Sequence, residues 1–504
     1  MSRVVETGTA ASREATAAAD TPQATLFGHP RGLATLFFTE MWERFTYYGI
    51  QSILILFLVT ASGRGGLGFN DQSASAVWGL FMGGTYLLAL LGGWVADQLT
   101  GGRVAIAAGG VLIVIGNTLL AAGNERVFFL GLGCNILGVG LLKPNASNTV
   151  GALYPEGGSR RDAGFSIFYV GINVGSFLAP IFVPVVAQKY GWHAGFALPA
   201  FGMLAGVVQF LATGRYLGSA GAPPANARPR SWLALWVIVA AIGVLAVLLY
   251  SGVVTVNPVS LAARLSWVVG LLLVGYLLYV AFLGGLSRTE RLRVFAMMTL
   301  FAASTVFWMA YMQIFSSLTL FAQRYTDLDV FGWQVPAGDL QTFPPVYVIL
   351  LAPVFAALWV ALGKRDRDLS APAKFAWGLL LMAVGMLIMY LAALRVLHGD
   401  KVSPLWLIVS YFFCTCGELC LSPVGLSATT KLAPARFAAQ TMGLFFLTLA
   451  LGSFLAGLFS GAYDAQHLET LPVLYLKLFL WTGASGAAML SLTPPVKRLM
   501  AGVR

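Results

Sequence analysis

The sequence predicts an all-α integral membrane protein with fourteen spans: two six-helix bundles plus two additional central helices. Three observations carry this. The 504 residues are 58% hydrophobic and only 10% charged, whereas roughly a quarter of residues are charged in soluble globular proteins. Apolar stretches near the ~20 residues that cross a bilayer recur fourteen times along the chain. Lys and Arg collect in alternate connections and adjoining span ends, 21 on one side against 7 on the other, the asymmetry that places the richer side in the cytoplasm.

The elements follow in order. Residues 1–28 read as a polar, Ala/Thr-rich flexible tail without the apolar core of a signal peptide. Six spans fill 29–217, near 33–59, 76–99, 103–122, 127–153, 161–188 and 193–214. The segment 218–287 holds a linker and two extra spans. Its start, GSAGAPPANARPRS, is small, Pro-containing and basic. The two spans, near 232–251 and 262–286, have few polar side chains beyond their ends and are expected to be peripheral and lipid-facing. Six more spans fill 288–496, near 293–322, 342–363, 373–396, 403–430, 437–461 and 472–492, before a second tail at 497–504. With the N-terminus cytoplasmic, the even count returns the C-terminus to the same side. A 6+6 layout with an inside linker suits two halves rocking about a site at the midplane.

Several function classes are excluded. The net charge of +11 does not point to nucleic acid, because the basic residues fall between apolar segments rather than on one face. Cys134, Cys414, Cys416 and Cys420 all lie in apolar segments, which argues against a disulfide framework. The last three have no neighbouring His and fall short of the four ligands of a closed metal site, so they read as small helix residues and no metal is expected. No phosphate loop, nucleophile–base set or HExxH is present, so the chain is not expected to be an enzyme.

Charges within the spans mark the candidate site, because they are costly at membrane depth and persist where they meet a partner, a cavity or a ligand. In LFFTEMWERFTYYG (36–49), Glu40, Glu43/Arg44, Tyr47/Tyr48 and then Gln51 recur at three- and four-residue steps, one polar stripe on a helix. Phe38, Phe45 and Ile53 fall opposite. A structural ion pair locking two helices accounts for part of the stripe; two acids and two tyrosines exceed what one lock needs. Lys143, mid-span beside Pro144 and Asn145, needs an anion, which Glu43, Glu40 or a substrate carboxylate can supply. Tyr169 and Asn173 share a face, with Gly171 and Gly175 permitting close helix approach. Glu418 is a second isolated mid-span acid, with Ser422 one turn on, just before Pro423. These pieces fit a ligand of two charges: Arg44 or Lys143 for a carboxylate, Glu418 for an ammonium. A free peptide, or any amino acid, has that pattern. The stretch GGWVADQLTGGR (92–103) forms a short inside loop in which Asp97 can cap a helix or pair with a basic residue.

Together these residues resemble the proton-dependent oligopeptide transporter family of the major facilitator superfamily, in its bacterial form. EMWERFTYYG at 40–49 matches the family's ExxERFxYYG element, and FYVGINVG at 168–175 its FYxxINxG signature. Residues 92–103 resemble the superfamily's loop motif. Lys143-Pro144-Asn145 and GELCLSPVG at 417–425 match further family blocks. The resemblance runs from about His29 to the last span, and two extra central spans are usual in bacterial members. It implies a major facilitator fold and symport of di- and tripeptides with protons by alternating access across the bacterial inner membrane. No cofactor beyond the proton gradient is expected; the sequence does not give the oligomeric state, and a functional monomer is the expectation. The resemblance implies that Glu40, Glu43, Arg44 and Lys143 trade salt bridges and that, with Glu418, they couple protons. It implies peptide contacts by Tyr47, Tyr48, Tyr86, Lys143, Asn173, Trp308, Gln313, Glu418 and Ser427; alone, Tyr86, Trp308 and Ser427 read as ordinary span residues.

The chain also departs from the family pattern. Many members carry Arg where Gln51 stands, an acid just before Gln313 where Met312 stands, Asn at Pro344 and Trp near Phe445. The departures imply a missing outer-gate ion pair and one missing proton site, leaving coupling to the first-span cluster and Glu418. Symport of another small solute and passive facilitation are the alternatives. Two mid-span acids argue against a simple anion site.

Overall fold

The computed structural model describes residues 25–156, 158–224, 229–365, 369–399, 401–461 and 468–503. The expected N-terminal tail up to residue 24, linker residues 225–228 and the expected inside charge Arg367 lie outside the described residues. In hydrocarbon every backbone N–H and C=O must be satisfied within the segment, and the chain meets this with helices throughout. The first six spans are α1 (Arg31–Val59), α2 (Asp71–Val95), α3 (Gly101–Ala121), α4 (Glu125–Ala152), α5 (Gly158–Tyr190) and α6 (Trp192–Thr213). The central pair is α7 (Pro229–Tyr250) and α8 (Pro258–Leu283). The seventh span of the bundles is α9 (Arg288–Tyr311), a 3₁₀ turn at Met312–Phe315, and α10 (Ser317–Tyr325). Then come α11 (Phe343–Lys364), α12 (Ala371–Val396), α13 (Leu405–Leu432), α14 (Ala438–Ser460) and α15 (Thr470–Leu499). These helices fall on the fourteen apolar stretches read from the sequence; by length and hydropathy twelve candidates stand out among the described residues, with α2 and α3 joined and α1 left out.

Polar residues at the span ends secure the helix starts. Asn70, Asn124 and Asn257 accept hydrogen bonds from backbone N–H groups in the first turns of α2, α4 and α8, and Ser287 with Glu290 forms a capping box on α9. Between α2 and α3 the chain makes a π-helical turn, Ala96–Thr100, and Gly101 (φ 74°) reverses it. That backbone conformation favours glycine.

The same pairings recur in both halves. In the first, α1 packs on α5 and α6, α2 on α4, α3 on α4 and α6. In the second, the α9 span packs on α14 and α15, α11 on α13, α12 on α13 and α15. This is the internal repeat of a two-bundle transporter. Small residues allow the closest contacts. Gly109 meets the backbone of Gly138 and Gly116 that of Gly131 across α3 and α4, where Asn117 donates to Asn135 at 2.9 Å.

The bundles meet along α2 and α14. A Cβ on Gly79 would lie 2.8 Å from the Ser453 carbonyl oxygen, and one on Gly457 would lie 2.6 Å from that of Ser75. The central pair divides unevenly. α7 buries no residue in its apolar stretch, as expected of a lipid-facing helix. α8 does not: Ala262, Ser266, Val269, Leu273, Leu277 and Val280 form a buried face at three- and four-residue steps, packed on α2, α14 and α9. The peripheral expectation fails for α8 because this stripe of small and branched side chains closes over the seam between bundles.

Candidate functional site

A central cavity of about 140 Å³ lies between the bundles. Tyr47, Tyr48, Gln51, Tyr86, Tyr169 and Asn173 line it from the first bundle; Trp308, Tyr311, Met312, Phe315, Pro344 and Glu418 line it from the second. The polar stripe of α1 supplies Tyr47, Tyr48 and Gln51, and its charges lie one turn further along the same helix. Glu40, Glu43 and Arg44 are all buried. The Arg44 guanidinium binds both Glu43 carboxylate oxygens through Nε and Nη2, a fork-on-fork pair. Its Nε lies 3.6 Å from Glu40 Oε1, while Glu40 Oε2 is buried without a hydrogen-bond partner. The guanidinium carbon stands 4.7 Å from the centroid of the Tyr47 ring, whose hydroxyl donates to Met82 Sδ. One cation thus serves two acids, and the uncompensated charge rests on Glu40.

Lys143 lies near this cluster. Its Nζ stands 4.8 Å from the centroid of the Tyr86 ring, a cation–π contact, and its field reaches Glu40. On the opposite wall the Tyr311 hydroxyl donates to Glu418 Oε2 at 2.6 Å. Glu418 therefore lies on one wall of the cavity, and Lys143 and Arg44 lie behind the other. At one end the bundles are tied together: Arg324 binds Asp71 through two bonds of 2.6 and 2.7 Å, Gln188 donates to the Gln334 carbonyl at 3.3 Å, and Ser75 donates to Ser460 at 3.1 Å.

The sequence profile of the POT family matches residues 103–473. The chain belongs to this family. It is 40% identical to the peptide transporter YePEPT of Yersinia enterocolitica, over 94% of this chain and 96% of that one. It is 34% identical to a di-/tripeptide transporter of Lactococcus lactis subsp. lactis, over 95% and 98%. A crystal structure of a peptide transporter POT in complex with sulfate superposes with a TM-score of 0.89 at 39% identity, covering 96% of this chain and 99% of that one. The all-α membrane architecture described above is that of this transporter family.

In this POT-family chain the structure brings Tyr47, Tyr48, Tyr86, Asn173, Trp308 and Glu418 to one cavity, with Lys143 and the α1 charges behind its wall. In this conformation Lys143 makes no ion pair with Glu40 or Glu43, and the adjacent Arg44 binds both Glu43 oxygens. Two expected cavity residues lie elsewhere. Gln313 is no cavity residue. α9 ends at Tyr311, and the tighter turn that follows swings Gln313 into the core, where its amide donates to the Met309 and Ala456 carbonyls and accepts from Ser317. Ser427 lies in a separate groove with Trp359, Lys374 and Lys431. It is nine residues beyond Glu418, about 13 Å along the helix and half a turn around it.

The supporting residues behave more nearly as expected. Gly175 lets α5 approach α1 so closely that an added Cβ would lie 2.9 Å from Arg44 Cβ, and Gly171 does the same against Phe37. Asn173 donates to the Tyr169 carbonyl one turn back. Asn145, beside Pro144, ties α4 to α2 by donating to the Gly92 carbonyl at 3.1 Å. Asp97 is exposed and makes no ion pair among the described residues. The loop motif is anchored instead by Arg103, which donates to the Gly218 and Ala220 carbonyls of the linker. Sequence reasoning singled out Tyr169 on the face of Asn173 without assigning it a peptide contact, and missed Tyr311 as a cavity residue. The signal for Tyr311 was present: it follows Trp308 by three residues and so shares its helix face.

Proposed function

We propose that the chain is a proton-coupled symporter of di- and tripeptides, working as a monomer by alternating access in the bacterial plasma membrane. The observation that carries the reading is the cavity between two repeated bundles, with Glu418 on one wall and the Lys143 and Arg44 cations behind the other. An extended peptide presents a carboxylate and an ammonium at its ends. Lys143, which rests on the Tyr86 ring and makes no ion pair among the described residues, is assigned to the carboxylate, and Glu418 to the ammonium. The names of the Yersinia and Lactococcus relatives support the same substrate class.

The basic connections assign both termini to the cytoplasm. The end closed by Asp71 and Arg324 is then external, and the structure corresponds to a state closed toward the outside. Coupling is assigned to the α1 cluster. Glu40, with one buried oxygen unpaired, is the acid whose protonation costs the fewest contacts, and its neutralisation frees Arg44 and Lys143 for other partners. No cofactor is called for. One proton moving down 100 mV supplies about 2.3 kcal/mol, and one pH unit adds about 1.4 kcal/mol.

Proteoliposomes loaded at neutral pH and given an inward proton gradient should accumulate labelled dipeptide above the external concentration, and those without the gradient should only equilibrate. Uptake that is identical with and without the gradient overturns coupling. Uptake that excess unlabelled dipeptide fails to reduce overturns the substrate assignment.

A further inference from the structure

We infer that Tyr311 is a positioning residue for the substrate amino terminus: with Glu418 it forms a two-point receptor for a free α-ammonium group. The inference rests on the assignment of Glu418 to the ammonium and adds the residue that makes that carboxylate selective.

The geometry is specific. The Tyr311 hydroxyl donates to Glu418 Oε2 at 2.6 Å, and Oε1 has no hydrogen-bond partner among the described residues. A phenol oxygen that donates one hydrogen bond retains lone pairs that accept another. An ammonium entering the cavity therefore meets two acceptors side by side, Oε1 and the Tyr311 oxygen. An acylated nitrogen has no charge and a single N–H, and serves at most one of the two. The ring that carries the hydroxyl is held on three sides. It stacks on Phe307 with centroids 5.7 Å apart and meets the edges of Trp308 at 5.4 Å and Phe315 at 6.0 Å. A hydroxyl so fixed orients the carboxylate before the ligand arrives, which reduces the ordering cost of binding. It also stabilises the charged form of a carboxylate that would otherwise face the cavity from an apolar wall. The neighbouring Met312, Pro344 and Val348 offer no competing polar group.

The test compares binding of Ala-Ala and N-acetyl-Ala-Ala to purified wild type, Tyr311→Phe, Tyr311→Gln and Glu418→Gln, with thermal unfolding as the folding control. Phenylalanine keeps the ring packing and removes only the hydroxyl. The preference of wild type for the free amine should fall about tenfold in Tyr311→Phe, the weight of one hydrogen bond to a charged group. Tyr311→Gln, which restores a donor and an acceptor, should recover part of the preference, an outcome that a purely packing role does not produce. If Tyr311→Phe keeps the wild-type preference while Glu418→Gln abolishes it, the Tyr311 role is overturned and the Glu418 assignment stands. If wild type binds both ligands equally, the assignment of Glu418 fails and the receptor with it. Should Tyr311→Phe not fold, the decision passes to Tyr311→Gln: a preference between those of wild type and Glu418→Gln supports the receptor, and one equal to either overturns it.

Discussion

Replacing Asp71 with Asn should loosen the closed end of the transporter and raise the population open at that side. Gln51 and Met312 line the cavity without charge, and the Asp71–Arg324 ion pair spans the bundles. Both bonds are short, at 2.6 and 2.7 Å, and the side chains are 9% and 24% exposed. Exposed ion pairs contribute about 0–1 kcal/mol, while breaking a buried one costs about 3–5 kcal/mol. A largely covered bidentate pair falls between these limits, at about 1–2 kcal/mol. At room temperature that moves the closed-to-open equilibrium roughly 5- to 30-fold. The start of α2 should survive the change, because Asn70 and not Asp71 accepts the capping bond from Ser73. Spin labels at the exposed positions Ser62 and Phe331, one on each bundle, read the separation directly by pulsed electron resonance. The expected result is a longer-distance population in Asp71→Asn that is minor in wild type. A folded Asp71→Asn protein with the wild-type distance distribution would refute the reasoning and reduce the pair to a surface contact.

Three further outcomes follow from the same contacts. Glu40→Gln keeps the size and a hydrogen-bonding tip but cannot ionise, so it should abolish accumulation against a gradient while peptide exchange between two loaded compartments persists; loss of both activities points to a structural lock instead. Gly79→Val should force the α2–α14 seam apart at a cost of about 1–3 kcal/mol, seen as a lower melting midpoint, whereas Gly93→Val, with open space around it, should be neutral in the same measurement. Gln313→Leu strands the Ala456 carbonyl and the Ser317 hydroxyl and should lower stability by about 2–4 kcal/mol with peptide affinity unchanged in the folded protein; weaker binding at unchanged stability would return Gln313 to the cavity.

The sequence by itself determined the fourteen spans and the candidate charges. Both are local properties: about 20 apolar residues make a span whatever its neighbours, and a charge inside a span is conspicuous wherever it ends up. The α1 stripe was legible for the same reason, since helical periodicity places Glu40, Arg44, Tyr47 and Gln51 on one face without reference to any other element. Only the tertiary structure decided which of these charges meet. Arg44 takes Glu43 and leaves Lys143 on the Tyr86 ring, a choice set by distances between helices, which periodicity along one helix does not contain. The same holds for rotation. The break after Tyr311 turns Gln313 into the core and leaves Tyr311 on the cavity face beside Glu418, and two and a half turns of α13 carry Ser427 to another surface. α8 reads from its composition as a lipid-facing helix like α7, yet it closes the seam. Lipid and protein interior are equally apolar, so composition does not separate the two fates; packing against α2 and α14 does.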